Sequence, residues 1–103
     1  MKRFILFTFS IFLVSYFGFG QKTYIPNDNF EQALINLGID NVLDDSVLTS
    51  SIDTVNSLDI SNNFIGNLTG IEDFTLLTNL YCDSNLLTSL DLSNNFYLTH
   101  LEC

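Results

Sequence analysis

The sequence predicts an α/β solenoid, in which short strands stack coil on coil into one parallel sheet behind an N-terminal capping helix. Three observations predict it. The string Leu58-Asp59-Ile60-Ser61-Asn62-Asn63 returns as Leu80-Tyr81-Cys82-Asp83-Ser84-Asn85 at an offset of 22 residues. Leu101-Glu102-Cys103 then repeats Leu80-Tyr81-Cys82 at an offset of 21. Ahead of the repeats, IPNDNFEQALINLG carries apolar residues at helical rather than strand spacing.

In chain order, residues 1–20, MKRFILFTFSIFLVSYFGFG, hold two of the three basic residues, no acidic residue and six of the ten Phe. A charged start, an apolar run and small residues at Gly18 and Gly20 have the physics of an export signal cleaved before Gln21. The apolar run is shorter than the ~20 residues a membrane span needs.

Residues 21–46 read as an N-terminal cap with a helix over about Asn29 to Leu37. Asp28 and Glu31 stand at the offset of a capping box. Phe30, Ala33, Leu34 and Leu37 mark one apolar face, and Gly38 supplies a left-handed stop. So short a helix is unstable alone and must pack against the rest of the chain.

Residues 47–103 read as the solenoid. The period and the pattern LxxLxLxxN are the leucine-rich repeat signature, each coil adding one strand with its two apolar LxL residues inward. Asn63, Asn85 and Asn95 stand where each run bends inward, and their amides are expected to bond backbone groups that burial would otherwise leave unpaired. Ile65, Leu68, Ile71 and Phe74 supply further inward positions. The nested pattern Leu77-x-x-Leu80-x-Cys82-x-x-Asn85-x-Leu87-x-x-Leu90-Asp91-Leu92-x-x-Asn95 resembles the IRREKO class of bacterial leucine-rich repeats, and the coil Leu58 to Leu77 resembles the 22-residue internalin type. The lead-in TYIPNDNFEQALINLGIDNVLDD is similar to the caps of secreted Bacteroidetes-like repeat proteins. That resemblance implies an exported, non-catalytic binding or adhesion protein, usually with more coils. The repeat pattern expects an Asn and another half-coil beyond Cys103, so the chain is read as the N-terminal part of a longer protein, truncated at its C-terminus.

Residues 21–103 carry one Lys against 12 acidic residues, a formal charge of −11. Such a surface repels phosphate backbones, which excludes nucleic acid as a partner. Contact with a membrane is expected only through the export signal or a C-terminal anchor not present here. No residues match a cofactor or metal pattern: Asp44, Asp45, Asp59 and Asp91 lack the alternation of a calcium loop. Nor is catalysis expected, because His100 shares its column with Ser57 and Asn79 and no nucleophile-base-acid set results. Cys82 and Cys103 recur at one inward position, where parallel side-chain directions favour stacked free core thiols over a disulfide. Asn67-Leu68-Thr69 matches an N-glycosylation sequon, which the bacterial resemblance makes empty.

Outward positions between the inward residues should line up from coil to coil in three columns: Ser57, Asn79 and His100; Asp59, Tyr81 and Glu102; Ser61 and Asp83. These are the ligand-face candidates. The expected function is a secreted or cell-surface module recognising a protein or glycan. The alternative is a targeting arm of a longer secreted enzyme.

Overall fold

A computed structural model describes residues 20–103, so the expected export signal, apart from Gly20, lies outside the described residues. The first element, β1 (Lys22–Tyr24), pairs antiparallel with β2 (Ser46–Leu48), Thr23 opposite Val47. This two-stranded sheet was not legible in the sequence. Its inward pair, Thr23 and Val47, is buried, and the Thr23 hydroxyl reaches Thr49 Oγ1 at 2.7 Å and donates to Asp73 Oδ2 at 2.7 Å. Those bonds tie the start of the chain to the first coil.

Between the two strands runs α1 (Asp28–Asn36). The expected capping box is corrected: Asn27 is the N-cap, its Oδ1 accepting from the Phe30 N–H at 2.9 Å. Asp28 is therefore the first helical residue, and Glu31, freed from a box, turns inward. Phe30, Ala33 and Leu34 are buried as the spacing predicts, and the Phe30 ring stacks on Phe74 with centroids 6.2 Å apart. Leu37 departs from the stripe at 50% exposure, because it is the C-cap, where the chain leaves the helix through Gly38 at φ +78°. A one-turn helix, α2 (Thr49–Ile52), then buries Ile52 and leads to the solenoid.

Strands β3 (Ser57–Asp59), β4 (Asn79–Tyr81) and β5 (His100–Glu102) form one parallel sheet in that order, so Ser57 is the first residue in the parallel ladder. Leu58, Leu80 and Leu101 are in register, and coil-to-coil bonds such as Ile60 N–H to Tyr81 O at 2.8 Å continue the ladder past the strands. The first coil returns through a 3-10 turn, Ile71–Asp73. Its inward residues Ile65, Leu68, Ile71, Phe74 and Leu77 join the helix face in one apolar core. Gly70 starts that turn at φ +107°, and a Cβ there would stand 2.8 Å from the Tyr24 carbonyl and against Ile25 Cδ1. Only glycine combines that dihedral with so close an approach of β1 to the coil.

Candidate functional site

Parallel pairing sets the outer face of the sheet. One row across it is Ser57, Asn79 and His100, and the next is Asp59, Tyr81 and Glu102. The His100 Nε2 and Glu102 Oε2 atoms lie 2.8 Å apart on β5, and the His100 ring is tilted on the Tyr81 ring with centroids 5.4 Å apart. Tyr81 is thus held from one side, half-buried, between two carboxylate-bearing strands. Ser61 and Asp83 flank these rows beyond the strand ends. Ser61 is turned back on its own coil: its hydroxyl and backbone N–H donate to Asp59 Oδ1 at 2.6 and 3.1 Å. Those two donors hold the Asp59 carboxyl below its ordinary range, so the face stays anionic in mild acid. Asp91 and Ser93 repeat the arrangement in the next coil, with the same effect on Asp91.

The three motif asparagines have separate roles. Asn85 spans two coils: its Oδ1 accepts from the Asn63 and Ile65 N–H groups at 2.9 and 3.1 Å, and its Nδ2 donates to Ile60 O and Cys82 O at 2.9 and 3.0 Å. Buried Asn95 donates to Ile71 O and Phe74 O across the same interval. Asn63 is a correction to the ladder, since its side chain donates only to Ser61 O within its own turn. It belongs to the first coil and has helix α1, not a coil, behind it.

Cys82 and Cys103 stand one residue past β4 and β5 with Cα atoms 4.5 Å apart. Their sulfurs meet across the two coils at the one inward position that the repeat assigns to both. The Cys82 N–H donates to the Glu102 carbonyl at 2.6 Å, so the coil-to-coil ladder runs on to the cysteines. Their Cα separation is close to the ~4.8 Å spacing of neighbouring strands.

Sequence reading also missed a carboxyl cluster. Oxygens of Glu31, Asp40 and Asp44 all lie within 4.8 Å of one another. Glu31 is fully buried, and its carboxylate accepts from the N–H groups of Asp44 at 3.2 Å and Asp45 at 2.8 Å. Burial pushes the Glu31 carboxyl up to about 7, hydrogen bonding and repulsion from Asp40 add to that, and the two amide donors oppose it. Asp40 Oδ2 is buried and has no donor of its own. A protonated Glu31 can donate toward that oxygen, and the amide donors already facing Glu31 would compete with any cation. The signal available in the sequence was weak: a Glu on the apolar flank of a helix, with acidic residues 9 and 13 positions later.

The exposed Phe64 was also missed. It is 71% exposed and holds φ at +57°, a region that bulky residues seldom occupy. Asn29 Nδ2 donates to its carbonyl at 3.0 Å, which joins helix α1 to this turn.

No family model matches the chain. It is 39% identical over 72 residues to internalin J of Listeria monocytogenes serotype 4b (strain F2365), a stretch that takes in 70% of this chain and 8% of that protein. Among solved structures, the functional domain of internalin J from Listeria monocytogenes, described as including a cysteine ladder, superposes with a TM-score of 0.68 at 39% identity, over 82% of this chain and 19% of that one. An internalin F structure from the same species gives 0.69 at 22% identity, over 77% of this chain and 24% of that one, a likeness of fold alone. The chain therefore spans a small part of the length of each.

Proposed function

We propose that this chain, which belongs to the bacterial internalin-type leucine-rich repeat proteins, is the exported N-terminal part of a non-catalytic recognition module that binds a cationic protein segment on its parallel sheet. In this reading residues 1–20 direct export, residues 21–46 close the N-terminal end of the solenoid, and further coils follow Cys103. The observation that carries the reading is the row Asp59, Tyr81 and Glu102, in register across three strands. An aromatic ring flanked by carboxylates suits an Arg or Lys side chain, which gains both charge pairing and the ring face. Flat aromatic anchors contribute a large share of interface energy, and the sheet of a repeat solenoid is its usual binding surface. Lys22 on β1 is the one Lys or Arg among the described residues, so no Lys or Arg of the described chain competes on this face, and His100 is the residue a ligand cation would displace from Tyr81 and Glu102.

A direct test titrates the protein with a peptide alternating Arg and Phe, and with its Glu-and-Phe counterpart, by fluorescence anisotropy at about 0.15 M salt. The Arg peptide should bind and the Glu peptide should not. Tyr81→Ala and Asp59→Lys should each weaken the Arg peptide by about tenfold or more, with the amide spectrum of the apolar core unchanged. Parental affinity in both variants would remove the sheet face from consideration.

A further inference from the structure

The two coil types return along the back of the solenoid by different routes. The first runs from Gly66 into the 3-10 turn at Ile71–Asp73, whereas the second passes Ser89 to Asn94 without helix or strand. The mismatch leaves a cleft of about 430 Å³ between them. That volume lies within the ~300–1,000 Å³ typical of small-molecule sites. Asn67 and Glu72 line one wall, Ser89, Asp91 and Asn94 the other, with Leu68 among the apolar lining residues. Glu72 takes the Gly70 N–H on Oε1, and Asp91 takes both donors of Ser93 on Oδ1. The second oxygen of each carboxylate makes no hydrogen bond among the described residues.

We propose that this cleft, on elements apart from the sheet face, is a second binding site, for a short hydroxyl-rich saccharide without acid groups. A carboxylate oxygen accepts strongly from sugar hydroxyls, and hydroxyl and amide side chains both give and accept. Two carboxylates with no Lys or Arg in the lining repel a uronate, a sialate or a phosphate. Gly66 keeps the mouth open, since a Cβ built on it meets nothing within 4 Å.

The test is a titration of the protein with maltotriose, read by amide chemical shifts, with trigalacturonate as the acidic control. Saturable shifts confined to residues 66–72 and 89–94, with affinity on the order of 1 mM, are expected for maltotriose and none for trigalacturonate. Asp91→Asn retains an acceptor for Ser93 and should weaken binding about tenfold through loss of the charged hydrogen bond. Gly66→Tyr places a ring in open space and should abolish binding while the remaining amide spectrum stays that of the parent. Tyr81→Ala should leave the saccharide affinity untouched, so failure of the sheet-face reading and failure of this one are separable. The proposal is overturned if maltotriose produces no saturable shifts, if both variants bind as the parent does, or if the uronate binds equally.

Discussion

Leu80 and Leu101 occupy the same motif position on adjacent strands, yet Leu80 has no exposed surface and Leu101 is 45% exposed. Leu58, one strand further back, is 1% exposed. Leu80 sits in a middle strand with β3 on one side and β5 on the other, whereas Leu101 has β4 on one side only. An LxL motif therefore does not by itself make a core. A coil buries its apolar residues only when both flanks are covered, so stability in a solenoid is a sum over neighbouring contacts.

The largest effect should come from breaking the covered coil. Leu80→Ala should cost about 2–5 kcal/mol in chemical unfolding, the range for emptying a fully buried leucine site. Leu101→Ala in the 103-residue chain should cost less than about 1 kcal/mol, since half-exposed leucine has less to lose, and the further coils proposed above should raise that cost toward the Leu80 value. Equal losses would mean that the two flanks are energetically alike.

A second contrast lies between the asparagines. Asn85→Ala should destabilise by about 1–3 kcal/mol, because it leaves the Ile65 N–H and the Ile60 and Cys82 carbonyls without their partner. Asn63→Ala should cost no more than about 1 kcal/mol, having a single bond to Ser61 within one turn. A larger loss at Asn63 than at Asn85 would contradict the assignment of the inter-coil bridge.

The smallest effect is confined to the helix side of the comparison and depends on pH. Glu31 titrates near 7 in the fold and near its ordinary value when unfolded, so the folded state binds the extra proton between them. Its stabilising contribution is complete below about pH 4.5 and is lost as pH rises through about 7. Opposing contributions from Asp59 and Asp91, whose carboxyls are lowered, fall in more acidic solution and leave that window clear. Unfolding free energy should drop by about 1–2 kcal/mol between pH 5 and pH 8. Glu31→Gln should flatten the slope, because its amide can donate to the buried Asp40 Oδ2 at any pH. An unchanged slope in that variant would place the titrating group elsewhere.

The helix and the repeats were legible for the same reason: both are periodic, and a period written in apolar residues determines which side chains face inward. Phe30, Ala33, Leu34, Leu58, Ile65, Phe74 and Leu80 are all found inside. The two outward rows across the strands follow from the same period, since residues at an equal phase must meet when parallel coils stack. What lay outside the period was not legible. β1 meets β2 across 24 residues with no repeat to announce it, and Asn27 displaces Asp28 as the cap by a choice of one residue.

Coil length, most of the inward set and the rows of the sheet were fixed by the repeat pattern alone, because each depends on neighbours that repeat the same pattern. The burial of Glu31 beside Asp40, the exposure of Leu37 and the cleft between two unlike coils came from the folded chain alone. Each of these arises outside the periodic stack or where its coils change type, and there a residue's environment depends on what stands across from it rather than on its own phase.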